Sequence, residues 1–332
     1  MKASINPSST ILSMQTEEGS RQQSRKVKIR DDAAIVVVSV CVCTYRRPPL
    51  LTMLLDSLAE QCFCEPFEVI VVDNDPAGGA TQAVEAARKC HPQLKIRYAI
   101  EPLKGISFAR NTAMSLAVGE FVAWIDDDET ATRHWLTSLW TTRSAINADA
   151  VFGPVVPVFP HGSRSWPRRS GIFERPRHPT GTMIDAREAR TGNAFVKTTW
   201  LRTLAPPFDV KLANTGGEDY DFFARIAKNG ARFAWCDEAE VFEVVPLERQ
   251  RLTWVLERGL RGSTNYWFRN RSTSGIRMIL QALLGGISFL VLCIAGIIVA
   301  PFGFHHTVKF WRRAMGGLGR IIALSGLQWK GY

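Results

Sequence analysis

Short apolar runs alternate with amphipathic stretches from Ala34 onward, regularly enough to predict elements one by one. AAIVVVSVCVC reads as a buried strand, and PPLLTMLLDSLAEQ as a helix opened by prolines in its first turn. FEVIVVDND is a second strand ending in carboxylates, TQAVEAARKC a helix, LKIRYAI a third strand and SFARNTAMSLAVG a helix stopped by Gly119. FVAWI is the fourth strand. Strands separated by helical patterns predict βαβ units, and so an α/β chain with a mostly parallel, mixed sheet flanked by helices. Its ligands are then expected beyond the carboxyl ends of the strands. Both acidic clusters, VVDND and WIDDDE, fall there.

The second half is less regular. A helix near His134 to Asn147 leads to one strand, AVFGPVVPV, and residues 157–190 then carry many Pro, Arg and Gly with little periodicity, as in a long working loop. TGNAFVKTTWL restores order, GGEDYDFFARIAKNG reads as a helix with acids in its first turn, and RFAWC and EVFEVV are short strands. LERQRLTWVLERGLRGSTNYWF is a basic helix leading into Met278–Phe304, which holds no charge. As one straight helix that run would extend about 40 Å, enough for about 30 Å of hydrocarbon. Gly285-Gly286 and Pro301 are candidate bends, and basic residues flank both ends, which favours a shallow hairpin with both ends cytoplasmic over a single crossing. The tail VKFWRRAMGGLGRIIALSGLQW has the make-up of a helix in the headgroup region. Three regions follow: a flexible tail over 1–33, rich in Ser, Gln and charge and without the apolar core of a signal peptide; a catalytic domain over 34–260; and a membrane-associated helical region over 261–332.

Charge sharpens the membrane expectation. The formal net charge is +10, yet all of it lies after Glu257, where no acidic residue occurs. Such a basic segment around an apolar run predicts an anionic membrane surface rather than nucleic acid, and places the catalytic domain at the cytoplasmic face, of the inner membrane if the source is bacterial. The 7 cysteines are scattered, and neither C-x-C pair has a partner at zinc spacing, so core packing accounts for them.

Asp126, Asp127 and Asp128 would repel one another unless a cation or hydrogen-bond donors hold them. On an extended strand end Asp126 and Asp128 project to one face and Asp127 to the other, so two carboxylates converge as Mg2+ or Mn2+ in a nucleotide site requires. Glu218 and Asp219 follow Gly216-Gly217 at a helix start. Acids there complement the helix dipole, but paired glycines also let a ligand approach, placing Asp219 to take a proton from a hydroxyl.

CTYRRPPLLTMLLDSL, VIVVDND, GISFARNTAMSLAVGEFVAWIDDDE and TGGEDYDFFARI, in this order, resemble glycosyltransferase family 2 enzymes of the GT-A (Rossmann-like) fold over residues 35–260. TGGEDYDFF and VFEVVP are similar to bacterial exopolysaccharide glycosyltransferases of the succinoglycan type. The resemblance implies an inverting, metal-dependent hexosyltransferase that moves a sugar from a UDP-sugar, UDP-glucose favoured, to a lipid-linked oligosaccharide. It implies that Thr44, Arg46, Asp73, Gly105, Arg110 and Asp126 surround the nucleotide, with Asp73 accepting from the uracil ring, although an internal ion pair is an equal expectation for Arg110. Asp128, with Asp126 and Glu243, would hold Mn2+ or Mg2+; Glu243 stands where many members carry His. Gly192 and Asn193 would face the sugars, Trp166 in the irregular loop would stack on one, Asp219 would be the general base, and Glu218 would position the acceptor hydroxyl. Against the Q-x-x-R-W of processive members the chain has Gln250, Arg251, Leu252, Thr253 and Trp254, which argues against a polymerase. Arg258 and Arg261, near one helical turn apart, are candidates for diphosphate or for the membrane surface. Competing expectations are a sugar-nucleotidyltransferase, which calls for a Gly-rich loop absent from CTYRRPP, and a non-catalytic membrane partner in polysaccharide assembly.

Overall fold

The computed structural model describes residues 36–269 and 275–327. The expected tail over 1–33, Arg271 and Lys330 lie outside the described residues. The first half follows its hydrophobic pattern: β1 (Val38–Thr44), α1 (Pro48–Ala59), β2 (Phe67–Asp73), α2 (Thr81–Cys90), β3 (Ile96–Ile100), α3 (Ile106–Leu116) and β4 (Phe121–Ile125). β1 pairs parallel with β2 and β4, and β2 with β3, with Thr44 opposite Asp73. Alternation along each strand divides the core into two. Val38, Val40, Val42, Val69 and Val71 face Leu51, Leu54, Leu55 and Leu58 of α1, whereas Cys41, Ile70, Val72 and Trp124 face Ala109 and Ala113 of α3. Each of those fully buried leucines contributes roughly 1.5–3 kcal/mol.

A short strand, β5 (Glu129–Ala131), precedes α4 (Trp135–Ile146). AVFGPVVPV forms two strands rather than the expected one, β6 (Ala150–Phe152) and β7 (Val155–Val158), in different sheets. Gly153 and Pro154 cause the break: a Cβ on Gly153 would stand 2.3 Å from the Ala239 carbonyl, and Pro154 has no N–H for a ladder. The expected working loop contains a helical turn, α5 (Ser165–Ser170). Next come β8 (Asn193–Lys197), α6 (Thr198–Arg202), α7 (Glu218–Lys228), β9 (Phe233–Trp235) and β10 (Val241–Val244). The main sheet has the order β3-β2-β1-β4-β8-β6-β9, mixed because β8 runs antiparallel to β4 and β6. The second sheet, β5-β10-β7, packs beside the carboxyl edge that β4 feeds.

Beyond the sheets, α8 (Leu252–Arg269) runs unbroken through the boundary expected at residue 260. α9 (Gly275–Ile298) is, among the described residues, the one helix long and apolar enough to cross a membrane. The helix continues unbroken through Gly285-Gly286, and Gly285 serves packing: a Cβ there would stand 2.8 Å from the Gly317 carbonyl. The turn comes at Ala300–Phe302, and α10 (Phe304–Leu324) returns along α9, with Thr307 Oγ1 donating to Gly296 O at 3.0 Å. α10 also packs on α8, where Ser263 Oγ donates to Gly316 O at 2.8 Å. The apolar run therefore supplies one limb of a hairpin, and the basic tail, expected in the headgroup region, is the other. Ile276, Leu280, Leu283, Ile287, Leu290 and Ile294 leave an exposed apolar stripe along α9.

Candidate active site

The three aspartates sit in a turn rather than on an extended strand end. Asp126 O accepts from Glu129 N at 3.1 Å while Glu129 Oε2 accepts from Asp126 N at 2.9 Å, which closes the turn between β4 and β5. Each carboxylate meets a different set of arginines. Asp127 is buried and accepts from Thr44 Oγ1 at 2.8 Å and Arg47 at 3.1 Å. Asp128 accepts from Arg47 at 3.0 Å and Arg249 at 3.3 Å. Asp126 lies 3.8 Å from Arg110, with its side chain 46% exposed. Desolvation, with the charges of Asp128 and Asp127, pushes the Asp126 carboxyl up to about 7 against Arg110 and Arg175, and water at its open side screens part of that.

Of the adjacent arginines, Arg47 and not Arg46 reaches the triplet. Arg46 adopts φ 57, which turns consecutive side chains apart, and its Nε donates to Asp75 at 2.9 Å. Asp73 is fully buried and accepts from Asp75 N at 3.0 Å, Ala80 N at 2.8 Å and Tyr98 Oη at 2.9 Å. Its oxygens thus organise the loop after β2 instead of being open to a ring ligand. Gly105, with φ 140, caps α3 and donates to Asn74 Oδ1 at 2.8 Å, while a Cβ there would clash with Ala213 at 2.7 Å.

Arg110 carries the connection to α7. Its buried guanidinium pairs with Glu218 as well as Asp126, so the ion-pair expectation describes it, and the Glu218 charge raises its pKa further against desolvation. Glu218 is itself buried, and desolvation lifts its carboxyl above the ordinary range against Arg110. It holds the start of α7 to the triplet, so its bonding is to Arg110 rather than open to an acceptor hydroxyl. Asp219, half-buried, accepts from Tyr220 N on Oδ1 at 2.7 Å, and its Oδ2 has no partner among the described residues. Gly216 (φ 73) and Gly217 (φ 88) form the preceding left-handed turn. What approaches Gly217 is Arg269 of α8: a Cβ would stand 2.5 Å from its Nη1, which donates to Gly216 O at 2.7 Å.

Gly192 gives the triplet room, since a Cβ there would come within 3.1 Å of Asp126 Oδ2 and 3.0 Å of Glu129 Oε1. Asn193 is spent on the scaffold: its Oδ1 accepts from Trp135 Nε1 at 2.9 Å, and its Nδ2 donates to Ala239 O at 2.7 Å and Pro154 O at 3.1 Å. Trp166 is not a sugar platform either. It is buried against Val255 and Val308 and meets Phe304 edge-on at 5.7 Å, because α5 tucks under the C-terminal helices. The residues that sequence reasoning missed are Arg47, Arg249, Arg175 and Glu129. Only Arg47, beside Arg46 in CTYRRPP, carried a legible signal.

Beside the triplet opens a cavity of about 550 Å³, whose lining includes Glu243, Arg249, Arg175, Arg258 and Arg312. Trp235 and Trp254 supply aromatic surface in it. Glu243 pairs with Arg249 at 2.8 Å and Arg175 at 3.6 Å. Among the described residues no three His, Cys, Asp or Glu side chains converge at metal-ligand spacing. Magnesium in nucleotide sites needs only one or two carboxylates, and the hard oxygens of Asp128, with Asp126 or Glu243 as a second carboxylate, fit it once Arg47 and Arg249 yield Asp128.

A mixed, parallel-dominated sheet with acids gathered past its carboxyl edge and a second acidic pair heading a helix is the layout of a GT-A fold. The model of Glycosyl transferase family 2 matches residues 39–202. The chain belongs to that family, as its likeness to succinoglycan biosynthesis protein ExoM of Rhizobium meliloti (strain 1021) also shows: 35% identity over 88% of this chain and 94% of that protein. Among solved structures, the mannosyltransferase PcManGT from Pyrobaculum calidifontis, in complex with GDP-Man and Mn2+, shares the fold with a TM-score of 0.58 at 20% identity, over 86% of each chain. S. aureus TarS 1–349 in complex with UDP does so with a TM-score of 0.53 at 19% identity, over 89% of this chain and 93% of that one.

Proposed function

We propose that this glycosyltransferase is an inverting, metal-dependent enzyme that moves a hexose from a UDP-sugar, UDP-glucose favoured, to a hydroxyl of a lipid-linked oligosaccharide in exopolysaccharide assembly. It would work at the cytoplasmic face of a membrane that the stripe of α9 engages. The observation that carries this reading is the bridge Asp126–Arg110–Glu218, which holds the triplet and the start of α7 together. Asp219, next to Glu218 and with Oδ2 open, takes the proton of the acceptor hydroxyl. The acceptor oxygen bonds to the anomeric carbon as the bond to the diphosphate breaks on the opposite side, releasing UDP. Asp128, with Asp126 and Glu243 alongside, would hold a divalent cation, which would supply positive charge to offset that of the leaving diphosphate. Thr44 supports this arrangement from below by fixing Asp127. Gly192 supports it by leaving Asp126 uncovered.

The test is Asp219→Asn. Sugar transfer to a lipid-linked acceptor falls by about 10²–10⁴ as expected for loss of a general base, while Mn2+-dependent UDP binding is retained. Transfer at near wild-type rate would remove the base assignment, and absence of transfer in the wild type with every UDP-hexose would favour a non-catalytic partner.

A further inference from the structure

We propose that Arg258 and Arg312 form a subsite for a phosphate or diphosphate group of the acceptor, at the seam between α8 and α10. The cavity beside the aspartates ends at this seam, where Gly259 and Gly262 also line it. Arg249 is committed to Asp128 and Glu243, and Arg175 to Glu243. Arg258 and Arg312 are not: among the described residues no carboxylate lies within ion-pair distance of either, and both are exposed to an incoming group.

The guanidinium of Arg258 lies over the Trp254 ring at 5.1 Å, and α10 crosses Gly259 at Arg312, where a Cβ would come 3.3 Å from the Arg312 carbonyl and 3.4 Å from its Cγ. Glycine at 259 thus lets the stem of Arg312 pack against α8. Desolvation depresses both pKa values, with Arg249, Arg175 and Arg261 adding to it at Arg258 despite Glu243, and Arg313 at Arg312. An anion in the cavity would offset this excess of positive charge, and the planar fork of guanidinium suits the oxygens of a phosphate. The seam belongs to the same three-helix unit as the apolar stripe of α9, so a group bound there can carry a lipid chain into the bilayer while its glycan occupies the cavity. Arg261, which the sequence paired with Arg258, stays beside it: both line a second, smaller pocket with Trp254 and Glu257.

The inference rests on the transfer reading but is tested by binding alone. The full chain in detergent micelles is titrated with farnesyl diphosphate and with inorganic pyrophosphate by calorimetry, at saturating UDP and Mn2+. Farnesyl diphosphate is expected to bind alongside UDP, and Arg258→Gln with Arg312→Gln to weaken it by about tenfold or more without changing UDP affinity or melting temperature. Competition with UDP would assign the arginines to the donor's diphosphate and overturn the proposal, as would unchanged binding in the double variant. Vesicles of phosphatidylglycerol form the remaining arm. If the double variant lost vesicle binding as strongly as farnesyl diphosphate binding, the arginines would serve the bilayer headgroups instead.

Discussion

Replacing Arg110 by Met tests whether the triplet and the base helix are one electrostatic unit. The Arg110 and Glu218 side chains are only 8% and 6% exposed, so the substitution leaves a carboxylate buried without its cation. Breaking such a pair from one side costs about 3–5 kcal/mol, or roughly 4–7 °C of melting temperature in a chain of this size. The sign of its pH dependence is fixed by Glu218, whose folded pKa already lies above 4.5 because of burial. A carboxyl raised in the folded state binds its proton more tightly there, so stability falls as pH rises from the unfolded pKa to the folded one. Losing Arg110 raises that pKa further. The gap between Arg110→Met and wild type is therefore expected to be widest above neutrality and to shrink towards pH 4.5, where the carboxyl is increasingly protonated. Melting in detergent from pH 4.5 to 8 reads this directly, with Glu218→Gln added to Arg110→Met recovering much of the loss. A gap that is independent of pH, or no recovery in the double variant, would refute the reasoning.

Two further substitutions separate scaffold from site. Trp166→Ala is expected to cost about 3–5 kcal/mol through lost packing against Val255 and Val308, whereas Trp166→Phe keeps the acceptor KM; a raised KM at unchanged stability would restore the stacking role. Asn193→Ala orphans Trp135 Nε1 and the carbonyls of Pro154 and Ala239, and a loss of about 2–4 kcal/mol in urea unfolding is expected. Wild-type stability with abolished transfer would return the side chain to the sugars.

The valine-rich strands and the acids at their ends were legible because alternation and turn chemistry are local. Val38, Val40 and Val42 announce one face of a sheet wherever the rest of the chain lies. The assignments that changed depend on residues far apart. Whether Arg46 or Arg47 meets the aspartates turns on one left-handed residue, and a φ of 57 at an arginine leaves no mark in the sequence. Asn193 is consumed by Trp135 and by carbonyls of two other segments, while Arg249 reaches back to Asp128 across 121 positions. The glycine pair suggests room for a ligand at Gly217, and Arg269 takes that room.

These long-range arginines answer the electrostatic problem of three adjacent aspartates differently from a lone metal. Arg47 ties Asp127 and Asp128 to the loop after β1, Arg249 ties Asp128 to the second sheet through Glu243, and Arg110 ties Asp126 to α7. The like charges are thereby shared among three elements, and no carboxylate moves without displacing an arginine bound to another. A dication entering at Asp128 must compete with Arg47 and Arg249, and Arg249 released from Asp128 still has Glu243 beside it. Arrival of a metal diphosphate would then loosen the tie between triplet and second sheet at the mouth of the cavity.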